Sequence, residues 1–216
     1  MSNLHNPPSI NHRDLMLATP GKLFSSPGWI YELKYDGFRC LLTKYRDVVR
    51  LESRNGRDMS DRFPELVEEL RPIRADFVAD SELVVLDGQG QPIWERLTAR
   101  HAIKNPARIR QAATQDPAAL FAFDLLWLDG ADFRPRPLLD RKAALHAVLP
   151  ANRRIRYAGH FVGDSAELWK LAVAMDLEGI VAKDAASLYS AGRTTRWLKI
   201  KTDAGAERER QRRPGR

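Results

Sequence analysis

Lys34, Asp36 and Arg39 stand around Gly37 in the run Glu32-Leu33-Lys34-Tyr35-Asp36-Gly37-Phe38-Arg39. The spacing gathers an amine, a carboxylate and a guanidinium on one tight turn, the equipment for taking a nucleotidyl group from a triphosphate onto nitrogen. A free lysine is protonated at neutral pH, with a pKa of about 10.4, so its surroundings must favour the neutral amine before it attacks. Asp36 is suited to holding a metal on the phosphates and Arg39 to gripping the nucleotide, while Gly37 supplies a turn that a β-carbon would obstruct. The same residues also fit a plain hairpin with Asp-Gly at its turn and two surface charges. The rest of the chain has to decide between the two.

Near the other end, Lys199 and Lys201 alternate in Trp197-Leu198-Lys199-Ile200-Lys201. On a strand, alternate residues share a face, so two amines there can converge on one phosphate. Lys183, on the preceding run Gly179 to Lys183, is a third cation for the same purpose. A charged, solvated strand face is the alternative for all three.

Lys-x-Asp-Gly-x-Arg resembles the first motif of the covalent nucleotidyltransferases, which comprise ATP-dependent DNA ligases, RNA ligases and mRNA capping enzymes. Further segments are similar to that family's motifs in order: Ser53-Arg54-Asn55-Gly56, Ser81-Glu82-Leu83-Val84, Phe121-Ala122-Phe123-Asp124-Leu125-Leu126, Glu178-Gly179-Ile180-Val181-Ala182-Lys183, and Trp197 to Lys201. Met16-Leu17-Ala18-Thr19-Pro20 matches an entry segment upstream. The likeness is greatest to the ligase domain of bacterial ATP-dependent DNA ligases of the end-joining type, and it runs from about Leu15 to Thr202.

The resemblance implies an ATP-dependent DNA ligase in repair or recombination, with Lys34 as the residue that becomes lysyl-AMP. It places Glu82 and Glu178 on the metal or the ribose, and magnesium, which takes oxygen ligands and keeps several waters, needs no more than two or three such acids. Phe123 takes the position associated with stacking on the purine. Glu32 takes the position that reads the adenine amino group, which favours ATP, and Arg54 meets a phosphate of the nucleotide or the nick. Lys183, Lys199 and Lys201 line the nucleotide. The implied partner is nicked or broken double-stranded DNA, in the bacterial cytoplasm and nucleoid.

Two departures qualify the match. The family has glycine where this chain has Ser81, which gives up freedom at positive φ just before Glu82. Replicating and repair ligases also carry an OB-fold module after the last motif, and none follows Lys201. The expectation is a separate OB-fold or end-joining partner protein, or a reduced set of steps. An RNA ligase, a capping-type enzyme and a non-catalytic DNA-end binding module are the alternatives.

The elements that must position these residues can be read from patterning. Trp29 to Leu33, Phe38 to Tyr45 and Val48 to Ser53 read as strands, and Asp61-Arg62-Phe63-Pro64 opens a helix with Phe63, Leu66, Val67 and Leu70 at helical spacing. Phe77 to Leu86 is a strand ended by an Asp87-Gly88 turn, Trp94 to Ile103 a short helix, and Asn105 to Pro117 too polar to assign. Ala119 to Leu128 is a buried strand closed by Asp129-Gly130, Leu138 to Leu149 and Ser165 to Met175 are amphipathic helices, and Gly179 to Lys183 and Arg196 to Lys201 return to strand. Hairpin-like strands with interspersed helices predict an α+β fold with antiparallel sheets flanked by helices. The resemblance makes that fold the ligase and capping-enzyme nucleotidyltransferase, an ATP-grasp-like architecture. The expected organisation is a loose arm over 1–12, one adenylation domain over 13–202, and a basic tail over 203–216.

Bulk properties agree with this. The 216 residues suffice for one domain with a proper core. No apolar run approaches the roughly 20 residues that span a bilayer, and the start lacks a signal-peptide core. The single cysteine, Cys40, excludes an intramolecular disulfide and reads as a buried structural thiol. The formal charge of +7 suggests a polyanionic partner, and because five arginines against three acids give the stretch after Thr202 only +2, most of the excess lies on the body.

Overall fold

A computed structural model describes residues 9–150 and 152–212. Its strands are β1 Met16–Pro20, β2 Trp29–Lys34, β3 Phe38–Tyr45, β4 Val48–Ser53, β5 Phe77–Val85, β6 Ala118–Leu128, β7 Ala131–Asp132, β8 Ile155–Tyr157, β9 Phe161–Val162, β10 Gly179–Asp184 and β11 Gly192–Lys201. Its helices are α1 Pro64–Leu70, α2 Trp94–Ala102, α3 Pro106–Gln115, α4 Leu138–Val148, α5 Ser165–Ala174 and α6 Asp203–Arg212.

The strands form two sheets. One has the order β1-β11-β10-β2-β9, and the other the order β4-β3-β5-β6-β7 with β8 also on β6. Pairing is antiparallel except between β1 and β11 and between β6 and β8. The fold is thus the α+β class with antiparallel sheets that the sequence predicts, carrying two parallel pairings that local patterning gave no sign of.

Side-chain alternation divides the molecule into layers. Along β3, Cys40 and Leu42 enter a core shared with Phe63 and Leu66 beside α1, Leu97 of α2 and Leu145 of α4. Leu41, between them, points the other way and meets Ile30 of β2, Val78 of β5, Leu126 of β6 and Trp197 of β11 in a core between the sheets. Tyr31, Ile180, Ala182 and Ile200 face Ala172 of α5 on the far side of the first sheet. The layers therefore run α5, sheet, sheet, then α1, α2 and α4. Each sheet is apolar on both faces, and any polar residue facing its partner sheet needs a bonded companion.

The Lys34 segment is not a hairpin. Strand β2 pairs with β10 and β9, whereas β3 pairs with β4 and β5, so Tyr35-Asp36-Gly37 carries the chain from one sheet to the other. Gly37 is required by proximity: a β-carbon there would lie 2.3 Å from the Leu83 carbonyl and 2.8 Å from Val84 Cγ1. The Asp87 turn also differs from its expectation, with the positive φ at Gly90 instead of Gly88 and the Asp87 carboxylate accepting from the Gln89 and Gln91 amides. Asp129-Gly130 does form the tight turn expected, both residues at positive φ, between β6 and β7.

At the ends of the described chain the structure is more ordered than an arm and a tail suggest. Asn11 caps a 3₁₀ turn over His12–Asp14, and His12 donates its backbone N–H to Glu52 at 2.9 Å; residues 1–8 lie outside the described residues. After Thr202 the chain is helix through Arg212, and the remainder of the stretch expected as a basic tail, 213–216, again lies outside them.

Candidate active site

The two sheets part along one edge into a cavity of about 650 Å³. Alternation brings the polar residues to its walls. Glu32 and Lys34 share the face of β2 that carries Ile30, Glu82 shares the face of β5 that carries Val78, and Lys199 and Lys201 share the face of β11 that carries Trp197. All five, with Asp36, Arg39, Arg54, Phe123, Glu178 and Lys183, line the cavity. Every residue singled out from the sequence for chemistry is therefore in one place.

At its mouth Lys34 donates to Glu178 Oε2 at 2.6 Å, while Lys201 binds the other oxygen of Glu178 and reaches Glu209 at 3.1 Å. Burial pulls the Lys34 ammonium down, but the charges of Glu178, Glu82 and Asp36 outweigh it and leave the pKa raised. In the free chain the prospective nucleophile is thus a protonated amine parked on a carboxylate. Glu178 is itself held below the usual carboxylate range: burial would raise it, and Lys34 and Lys201 overcome that. Glu82 behaves oppositely. Burial, reinforced by Glu178 and Asp80, pushes its carboxyl up to about 7 despite Lys34 and Arg39. Lys199 is pulled down by burial and by the charges of Lys201 and Lys34.

Ser81 does not disturb Glu82. It sits within β5 without positive φ, and its hydroxyl donates 2.6 Å across to the Cys40 carbonyl. The pairing of β5 with β6 shifts register between Asp80 and Ser81.

Deeper in the cavity Glu32 is nearly enclosed. Lys142 of α4 donates to its Oε1 at 2.6 Å and Lys183 to its Oε2 at 2.7 Å. Burial alone would raise the Glu32 carboxyl; the two ammoniums bring it below the usual range instead. Lys183 is pulled down to about 8, chiefly by burial, and its Nζ lies 4.3 Å from the Phe123 ring centre and 4.2 Å from that of Trp197.

Arg39 also stands against Phe123, its guanidinium 4.7 Å from the ring centre. It makes a bidentate pair with buried Asp80 and donates to the Met16 carbonyl at 2.9 Å, so it is fixed as a wall. Asp36 is paired with Arg212 of α6 at 2.7 Å. Arg54 lies on the loop after β4, where Gly56 at positive φ makes the turn.

Sequence reasoning missed Lys142, Asp80, Glu209 and Arg212. Lys142 and Asp80 look like ordinary polar positions in a helix and a strand, although an acid two residues before Glu82 shares its face. The last two were hidden because α6 is polar on every side. That helix docks by close approach: a β-carbon on Gly205 would lie 2.2 Å from the Glu178 carbonyl, and Thr202 Oγ1 donates to the Leu177 carbonyl at 2.9 Å while accepting from the Gly205 amide at 3.0 Å.

Magnesium would need oxygen donors here. Among the described residues no three potential ligands converge on one point, but Glu82 is a carboxyl whose pKa is raised by burial and further by the neighbouring acids Glu178 and Asp80, a setting in which a cation can replace the proton. With waters and phosphate oxygens completing the shell, Glu82 and Glu178 fit such an ion.

The model of the ATP dependent DNA ligase domain family matches residues 16–201. The chain belongs to that family. Among curated relatives, the bifunctional non-homologous end joining protein LigD of Bacillus subtilis is 34% identical over 194 residues, covering 80% of this chain and 31% of its own. DNA ligase B of Mycobacterium tuberculosis is 36% identical over 176 residues, covering 80% and 34%. The chain thus spans about a third of the length of these relatives. Among solved structures, a mycobacterial DNA ligase D complexed with ATP and MES aligns with a TM-score of 0.72 and 30% identity, over 87% of this chain and 59% of that one. A Lig E DNA ligase, described as binding DNA with a minimal scaffold, shares the fold at a TM-score of 0.60 and 18% identity, over 87% and 68%. The domain therefore has the nucleotidyltransferase fold of ATP-dependent DNA ligases.

Proposed function

We propose that this domain takes AMP from ATP onto Lys34 and passes it to the 5′-phosphate of broken double-stranded DNA in the bacterial cytoplasm. The observation that carries the reading is Lys34 itself, in the wall of the cavity, 2.6 Å from Glu178 and on the same side as Lys199 and Lys201. A fold-only lysine at a sheet crossover has no need of two more amines beside it.

In the first step Lys34 Nζ gives one proton to Glu178, attacks the α-phosphorus of ATP as the neutral amine, and loses its second proton to the departing pyrophosphate. A P–N bond forms, the P–O bond to pyrophosphate breaks, and pyrophosphate leaves. Lys199 and Lys201 offer positive charge where it accumulates on the phosphoryl oxygens, a pre-set electrostatic contribution of the kind that dominates such transfers. Glu82 and Glu178 would hold magnesium when it is bound, and the ion would supply further positive charge at the phosphates. Phe123 presents its face to the base and Glu32 an acceptor to the adenine amino group.

In the second step a DNA 5′-phosphate oxygen attacks the AMP phosphorus, the P–N bond breaks, and Lys34 leaves as the amine with the proton returned by Glu178. In the third a 3′-hydroxyl attacks the 5′-phosphorus, the phosphodiester forms, and AMP departs. The name of the Bacillus subtilis relative, an end joining protein, supports end-joining repair as the setting; a separate end-joining or OB-fold protein holding the DNA is part of the proposal.

The test is covalent labelling. Incubation with α-labelled ATP and magnesium should leave one AMP on the chain, surviving denaturation at neutral or alkaline pH and released by acid as a phosphoramidate is, and Lys34→Ala should abolish it while Lys44→Ala does not. Label persisting in Lys34→Ala would refute the assignment.

A further inference from the structure

Lys142 is wholly buried, lies outside the cavity wall, and is nonetheless bonded to the residues that form its deep end. Its ammonium donates to Glu32 Oε1 of β2 at 2.6 Å, to the Ala158 carbonyl after β8 at 3.0 Å, and to the Phe123 carbonyl of β6 at 3.3 Å. An ammonium has three donors, and here three acceptors from three segments use them all. The helix that carries it is itself pinned: neighbouring Arg141 is fully buried, bidentate to Asp124 at 2.6 and 2.7 Å, and donates to the Arg136 and Ser187 carbonyls.

Taking a lysine fully out of water is costly, and a methionine of similar volume on α4 would fill the space without that cost. The ammonium therefore needs a reason beyond packing, and its three bonds supply one. They fix the carboxylate of Glu32 and the backbone of Phe123, which on the reading above meet the edge and the face of the base. With Lys142 on Oε1 and Lys183 on Oε2, the carboxylate cannot rotate toward either cation without losing the other. Its remaining lone pairs are left for the cavity.

We propose that Lys142 is a positioning residue for base selection: by holding Glu32 and Phe123 in one rigid corner it makes the cavity accept a 6-aminopurine and reject a 6-oxopurine. An acceptor-only carboxylate takes a hydrogen bond from an exocyclic amino group and repels a carbonyl oxygen in the same place. The discrimination is steep only while the carboxylate is fixed, because a mobile one swings away from the wrong base. The proposal rests on the nucleotide-transfer reading of the site.

The experiment is self-nucleotidylation of the full chain with α-labelled ATP and with α-labelled ITP, whose base carries a 6-oxo group and an N1–H in place of the 6-amino group and bare N1, measured for the wild type, Lys142→Met, Lys142→Arg and Glu32→Gln. Lys142→Met should raise the KM for ATP about tenfold and lower the preference for ATP over ITP about tenfold, the worth of one buried hydrogen bond, with kcat changing less than about threefold. Lys142→Arg, which keeps the charge, should recover part of the selectivity. If Lys142→Met does not fold, the double variant Glu32→Gln/Lys142→Met removes both charges together; it should match Glu32→Gln alone in selectivity, because Phe123 stacks on either purine alike and only Glu32 tells the 6-substituents apart. A folded Lys142→Met with wild-type KM and selectivity, or a double variant much less selective than Glu32→Gln, would overturn the proposal. Wild-type chain that takes label from neither nucleotide refutes the nucleotide-transfer reading and the proposal with it, an outcome distinct from normal labelling with unaltered selectivity.

Discussion

The two ends of the cavity are built on different electrostatic principles. At the deep end one carboxylate, Glu32, faces two lysines, each oxygen has its own donor, and its pKa is lowered. At the mouth, Glu82 has been driven up to about 7, and Lys199 has been pulled down with no ion pair among the described residues. The deep end is complete without a ligand, while the mouth holds charges that only a phosphate and a cation would satisfy. Recognition of a base requires rigidity. Transfer of a phosphoryl group requires that charge be waiting for it.

The sharpest way to break the contrast is Glu178→Gln. Lys34 and Lys201 then lose the carboxylate they share, and the nucleophile loses its proton acceptor, so single-turnover self-adenylylation should fall at least ~10²-fold with ATP affinity nearly unchanged. At the deep end Glu32→Gln should do the reverse, raising KM with the chemical step largely kept. Stopped-flow or quench-flow rates separate the two; equal losses of kcat at both ends would mean that the division into recognition and transfer is wrong.

Stability should divide along the same line. Glu82 holds a proton in the folded chain that the unfolded chain has lost between pH 4.5 and about 7, so stability falls as pH rises through that window. Glu32 and Glu178 have lowered pKa values; their contribution is fully present above pH 4.5 and is lost below it, as pH falls through their lowered folded pKa values. Glu82→Gln, which never ionises, should therefore raise Tm at pH 8 by roughly 3–6 °C without added divalent ion, and the gain should vanish near pH 4.5. An unchanged Tm at pH 8 would mean that Glu82 sits in the fold without electrostatic cost.

How far this was legible in the sequence follows from the kind of signal each feature leaves. Strands β3 and β4 fall on the bounds that alternation predicts, because their faces meet different apolar layers. The crossover at Tyr35-Asp36-Gly37 was not legible as such: two strands joined by Asp-Gly fit a hairpin equally well, and only their partners reveal that they belong to separate sheets. Helix α3 was left unassigned because its residues are polar, although Asn105 at the N-cap, accepting from the Ala107 and Arg108 amides, and Pro106 at the first turn are both start signals. The motif residues converge as the resemblance implied. Lys142 could not be singled out, since a lysine on an amphipathic helix is ordinarily on the solvated side, and what makes it unusual is the carboxylate 110 positions away.

The smallest expected effect lies on α6, which reaches the mouth from outside both sheets. Arg212 pairs with Asp36 at 2.7 Å and rests 4.0 Å over the Trp94 ring, and the pair is partly open to solvent. Such a pair is worth up to about 1 kcal/mol, or roughly fivefold in an equilibrium, far below the interactions at the deep end. If Asp36 assists the metal, Arg212 competes with it. Arg212→Ala should then lower the magnesium concentration for half-maximal self-adenylylation by about two- to fivefold, and the difference from the wild type should shrink as salt screens the pair. Magnesium titrations of both proteins at low and high ionic strength check this. Superimposable curves would leave Asp36 a residue of the crossover alone, and would move the boundary between the finished and unfinished parts of the cavity inward, to Lys34 and Glu178.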